Sequence, residues 1–292
     1  GMPMSDAGSD FVQRFLFEDL DVSGMMVRLS RAWQQMQSRR DYSATVRNRL
    51  GELAAVTVLI GSNLKQPGRV SVQLRGNGPL SLLLVECTRD LHLRGMARAE
   101  GVTASLRLPE LFADGQLTLT MQDDGGRSVY QSIVPLDGET VAEVFEHYLS
   151  QSVQHPASLM LAADRDNAVG LLLQKLPGAD LRDSDGWARV MQLAATVTAR
   201  ELAVVPTVDL LPRVFPQESI RLFDPKPAQY HCPEDRDKVR NMLRTLGREE
   251  VIAILREHGE VVIHDEVCNH DYRFDADEIA ALFPPTPPSS LH

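Results

Sequence analysis

Between residues 69 and 134 the apolar residues recur with a period of two, and this alternation constrains the fold more than any other part of the chain. Val70, Val72 and Leu74 alternate with Ser71, Gln73 and Arg75, and the run stops at Gly76-Asn77-Gly78-Pro79, a strong turn signal. Residues 80–87, 91–97, 117–121 and 129–134 read as four further strands, the last two joined by Asp123-Asp124-Gly125-Gly126. The connections are too short for helical crossovers. The pattern therefore predicts a meander of mainly antiparallel strands.

Helical signals surround this region. Ser43 can cap a helix over 44–64, where Val46, Leu50, Leu53, Ala54, Val56 and Thr57 recur at helical spacing. That segment is apolar over much of its circumference, which predicts a buried helix. Residues 11–29 read as an opening strand. Thr140 followed by Glu143 starts a helix to about residue 154, strands follow at 157–163 and 168–176, and 183–202 reads as one helix. Prolines then accumulate at Pro206, Pro212, Pro216, Pro225 and Pro227. The expected fold class is α+β: an N-terminal domain of antiparallel strands with a buried helix over 1–179, a helical connector over 180–229, a small C-terminal domain over 230–284, and a disordered tail over 285–292.

Composition narrows the function classes. With 43% apolar and 24% charged residues among 292, the chain has ample material for a core. Its net charge of −10 repels phosphate backbones and anionic lipid, so neither nucleic acid nor a membrane is an expected partner. The apolar run at 53–60 is far short of a membrane span, and no basic-then-apolar leader is seen. Three cysteines cannot build a disulfide framework and point to a reducing compartment, so a cytoplasmic location is expected. The chain lacks a Cys-x-x-Cys pair, a phosphate loop and any Ser/His/Asp signature, and it reads as a non-enzyme without a nucleotide cofactor.

The segment 231–278 differs from the rest. It carries 13 acidic against 7 basic residues, four of the eight histidines and two of the three cysteines. Residues 236–246 and 249–258 read as short helices with Gly259 as C-cap, 260–264 and 271–274 as strands, and Asp275 with Glu278 caps a last helix. A unit this small needs a metal, a disulfide or docking to a neighbour. It contains Cys232-Pro233-Glu234 and Asp265-Glu266-Val267-Cys268, two short-spaced pairs flanking a helical excursion, which is how four ligands converge on a tetrahedral ion. Cys232, Glu234, Asp265 and Cys268 are thus candidate metal ligands, with His231, His264 and His270 able to substitute. The alternative is that the two cysteines are ordinary small buried residues. Cys87, in an apolar strand, is expected to be buried and structural, and Trp33 and Trp187 to serve core or interface.

At the level of motifs the chain resembles the redox-regulated chaperones called heat-shock protein 33. Gln73-Leu74-Arg75-Gly76-Asn77-Gly78-Pro79-Leu80 resembles the family's glycine-bearing strand and turn, and Leu93-Arg94-Gly95 the motif that follows. Tyr130-Gln131-Ser132-Ile133-Val134-Pro135-Leu136 with Gly138-Glu139-Thr140 is similar to its most recognisable segment. Gly170-Leu171-Leu172-Leu173-Gln174 with Leu176-Pro177, and Arg221-Leu222-Phe223-Asp224-Pro225, resemble the strand before the connector and the start of the C-terminal domain. The resemblance implies a holdase that binds unfolded client proteins without ATP during oxidative or heat stress. It also implies a Cys-x-Cys and a Cys-x-x-Cys pair holding zinc in the inactive state, with two disulfides expelling the metal on oxidation.

This chain departs from that pattern, because Glu234 and Asp265 stand where two of the four thiols would be. Neither disulfide within a pair can form. Three accounts are open: a weak zinc site of Cys232, Glu234, Asp265 and Cys268; a single Cys232–Cys268 disulfide that staples the domain and inverts the redox logic; or a metal-free domain held by packing. A homodimer is left open. So are a non-chaperone interaction module with the same fold and, less favoured, a thiol oxidoreductase.

Overall fold

The structure, a computed structural model, describes residues 10–101 and 107–285. The chain has an α+β fold and divides into two compact units, one ending at His231 and the other starting at Cys232. The tail expected at 285–292 lies, from residue 286 on, outside the described residues.

The first unit opens with β1 (Phe11–Phe17) and β2 (Val22–Leu29), then α1 (Arg31–Gln37) and α2 (Ala44–Gly61). The expected single strand over 11–29 is thus a hairpin, turned at Asp21, whose backbone is left-handed at φ 49°. Next come β3 (Gly68–Arg75), β4 (Leu80–Thr88), β5 (His92–Ala99), α3 (Leu108–Phe112), β6 (Gln116–Asp123), β7 (Ser128–Val134) and α4 (Val141–Val153). The unit continues with β8 (Ala157–Ala163), β9 (Ala168–Lys175), α5 (Ala179–Arg182), α6 (Gly186–Ala194), α7 (Ala199–Val204), α8 (Thr207–Val214), β10 (Ile220–Leu222), β11 (Lys226–Pro227) and β12 (Gln229–Tyr230).

Two six-stranded sheets result. One has the order β10-β1-β2-β9-β8, with β11 also on β1, and the other runs β12-β5-β4-β3-β6-β7. Pairing is antiparallel except for β12 on β5. The second sheet is not a simple meander: β6 pairs with β3, not with β5, because the connection after β5 carries α3 and returns the chain to the opposite edge. Gly76 and Gly78 explain the turn after β3. A Cβ at either position would run into the carbonyl oxygens of Phe112 and Leu111, and the amide of Gly78 donates to Phe112 O at 2.9 Å.

Helix α2 packs against strands of both sheets and is buried along most of its length, as its apolar circumference requires. Ser43 caps it by accepting from Val46 N, and the buried Thr57 hydroxyl donates to Leu53 O at 2.7 Å. Trp33 is fully buried in this core, its indole N–H donating to Asp164 O. Cys87 is buried there as a free thiol, and burial pushes its pKa up to about 12.

The other face of the first sheet builds a second core. Phe15, Phe17, Met26, Val169, Leu171 and Leu173 lie under Val190, Ala194, Leu202, Leu210 and Leu211 from α6 to α8 and Phe215 just after α8. The continuous helix expected over 183–202 is broken here. Thr198 and Glu201 form a complete capping box that starts α7 afresh, a signal that helical periodicity alone overruns.

The second unit contains α9 (Arg236–Leu246), α10 (Arg248–His258), β13 (Val261–Asp265), β14 (His270–Phe274) and α11 (Ala276–Leu282). Its core is small: Leu243, Val251, Val261, Tyr272, Phe274, Ile279 and Leu282 are its buried members. No helix among the described residues is long and apolar enough to cross a membrane.

Candidate functional site

The C-terminal candidates sit where the chain enters α9 and where β13 turns into β14. Asp235 caps α9 by accepting from Lys238 N at 3.1 Å, and its own N–H donates to Tyr272 Oη at 2.8 Å. Arg236 lies 4.3 Å over the Phe274 ring and bonds Glu278, which fixes the segment against β14 and α11. On the hairpin, Asp265 is paired with His270 and His264 with Asp271, and Asn269 takes a left-handed φ of 52° to close the turn.

These constraints bring Cys232 and Cys268 together as a disulfide, with Cα atoms 5.6 Å apart and 36 residues of separation. Closing a loop of that length restricts the unfolded chain by about 4 kcal/mol. Both cysteines are half-buried.

The carboxylates are used otherwise. Asp265 Oδ1 accepts from Val267 N at 3.0 Å and from Cys268 N at 3.3 Å, so this side chain caps the turn that carries Cys268. Glu234 Oε1 lies 3.0 Å from His270 Nε2. The substitute histidines are likewise engaged. His264 Nδ1 lies 2.7 Å from Asp271 Oδ1, and that hydrogen bond is the main reason the Asp271 carboxyl is held below its ordinary pKa. His231, at the end of the first unit, lies with its ring tilted against that of His92, centroids 4.8 Å apart, and its backbone N–H donates to Leu93 O.

The donor set does not fit the zinc that the family resemblance implies. Its two soft donors are joined to each other, and its two hard donors serve a turn and a histidine. Among the described residues no group of three or more His, Cys, Asp or Glu side chains gathers as a metal site. Sequence reasoning missed both carboxylate roles. An aspartate opening a tight turn is an Asx-turn signal that could have revealed the first, whereas the Glu234–His270 contact depends on the hairpin register.

A second feature is the apolar sheet face under α6 to α8. The guanidinium of Arg28, on β2, donates to the carbonyl oxygens of Leu202, Ala203 and Val205 at the end of α7. Burial lowers its pKa from the ordinary value, so this charge is retained at a cost and spent on those carbonyls. Arg189 adds contacts to Glu218 at 2.8 Å and Asp183 at 3.0 Å.

Comparisons with known proteins agree with the motif pattern. The family model described as Hsp33 protein matches residues 10–275. The 33 kDa chaperonin of Methylobacillus flagellatus is 39% identical over 277 residues, covering 94% of each chain. That of Nitrosococcus oceani is 38% identical over 274 residues, again covering 94% of each. Among solved structures, the 33 kDa chaperonin (heat shock protein 33 homolog) of Thermotoga maritima aligns with a TM-score of 0.78 at 21% identity, covering 94% of this chain and 97% of that one. The motifs, the two-sheet fold and the match along nearly the whole length lead to one conclusion: this chain belongs to the Hsp33 family of chaperones.

Proposed function

We propose that this protein is an ATP-independent holdase of the cytoplasm that binds unfolded proteins and keeps them from aggregating under oxidative or heat stress. The client surface is the face of the first sheet now covered by α6 to α8, between the N-terminal domain (1–179) and the connector (180–229). One observation carries this reading. The cover consists of helices of only 9, 6 and 8 residues, each too short to be stable alone, over a sheet face built from Phe15, Phe17, Met26, Leu171 and Leu173. Lifting them would uncover a contiguous apolar surface while both sheets stay folded around α2. Such a surface suits extended apolar segments of many sequences, because its contacts are non-directional.

The test is suppression of aggregation of a chemically unfolded protein, scored by light scattering without nucleotide. Reduced, peroxide-treated and heated samples are compared. Suppression in at least one state is expected. No suppression in any of them would overturn the holdase reading in favour of an interaction module that has kept the fold.

A further inference from the structure

We infer that the Cys232–Cys268 disulfide is a reducible staple whose loss, and not its formation, opens the C-terminal unit, with a dithiol as the reactant that opens it. The inference concerns the folding of residues 232–285 and stands apart from client binding.

Three observations support it. The disulfide joins the segment before α9 to the β13–β14 turn, so it spans the unit from its first residue to its hairpin. The core of the unit is small, which leaves the folded state dependent on what restricts the unfolded one. Both cysteines are half-buried residues, open to an external thiolate, unlike Cys87, which is fully buried. Asp265 sharpens the coupling. Its carboxylate holds the amide of Cys268 itself, so the turn is preorganised to return Cys268 toward Cys232 after reduction.

The chemistry balances with a dithiol reductant. One thiolate of the dithiol attacks a sulfur of the pair, forming a mixed disulfide and releasing the other cysteine as a thiolate. The second thiolate of the dithiol then displaces the remaining cysteine. The reductant leaves as its own disulfide, two electrons pass to the protein, and both cysteines end as thiols after taking up protons. Peroxide runs the cycle back: one cysteine is oxidised to a sulfenic acid, the other displaces hydroxide from it, and water is the product. Oxidation therefore closes this unit and reduction loosens it.

The experiment is hydrogen–deuterium exchange of the full chain, oxidised and then dithiothreitol-reduced, with a metal chelator in both arms. Reduction is expected to raise exchange in α10, β13 and β14 by roughly several hundred-fold to a thousand-fold, the loop-closure effect of a bridge of this span. Exchange in α2 and β4 is expected to stay unchanged. The C232S/C268S variant is expected to match the reduced protein whether or not reductant is present. Unchanged protection on reduction would overturn the inference. So would three titratable thiols per chain after peroxide, or full protection of the reduced protein restored by added zinc in place of chelator.

Discussion

Glu234 Oε1 lies 3.0 Å from Nε2 of His270, so the carboxylate at the second position of the zinc pattern is engaged with the first residue of β14. This contact and the Asp265 cap flank the same turn, since Asp265 and His270 are paired across it. Together they turn two former ligand positions into structural contacts that suit a disulfide-closed unit. Substituting thiols for these carboxylates should reverse that choice.

The E234C/D265C variant, purified reduced, is expected to take up about one zinc per chain, as a four-thiolate set does. The parent chain, dialysed alongside it against a mild chelator, is expected to retain far less. Metal content by atomic emission decides the matter. Equal zinc in the two proteins would mean that Glu234 and Asp265 can serve as ligands after all.

Arg28 offers a different handle, on the cover of the apolar face. Arg28→Ala removes the donor shared by three carbonyl oxygens at the end of α7 and leaves them short of partners. The expected loss is about 2 kcal/mol in the attachment of α7. Binding of an apolar dye should rise, and aggregation suppression should appear under milder stress than for the parent protein. A variant with parental dye binding and parental activity would show that Arg28 does not hold the cover down.

Much of this was legible in the sequence because it was local. Residue type and spacing mark Ser43, Thr140 and Asp275 as helix caps, and each accepts the expected backbone N–H. The buried helix α2 followed from an apolar circumference. What could not be read depended on pairing between distant segments. The placement of β6 beside β3 is set by the path through α3, and alternation within a strand does not name its neighbour. The Thr198 capping box was visible but lay inside a longer helical pattern that masked it. At the C-terminal end the spacing of Cys232 and Cys268 revealed that the two positions converge. Whether sulfur would meet sulfur or metal depended on where Glu234 and Asp265 point, which the register of β13 and β14 and the docking of residues 235 and 236 on β14 and α11 decide.

The aromatic contact at the centre of the second core should carry much of the attachment of the helical cover. Phe17 and Phe215 meet edge to face with ring centroids 5.0 Å apart, and both are buried. Phe215→Ala removes the ring that follows α8 and is expected to cost about 3 to 5 kcal/mol. Thermal unfolding should show an early transition in residues 179–215 by exchange or proteolysis, with the α2 core still protected. Loss of the whole unit in one step would mean that the cover and the two sheets unfold together.

Glu52 gives the protein a pH dependence that can be measured directly. It sits on α2 with Arg49 at 2.7 Å, and burial raises its pKa from 4.5 to about 7 against the opposing pull of that arginine. Between those two values the folded state holds a proton that the unfolded chain has released. Stability should therefore fall as pH rises through the window from about 4.5 to about 7, by up to about 3 kcal/mol from this group, and level off above it. Glu52→Gln keeps the shape and removes the charge, so it should flatten this slope and make the protein more stable than the parent at pH 8. Urea unfolding of both proteins at pH 5, 6, 7 and 8 supplies the comparison. Parallel pH profiles would show that Glu52 stays ionised in the folded state and that Arg49 compensates its burial in full.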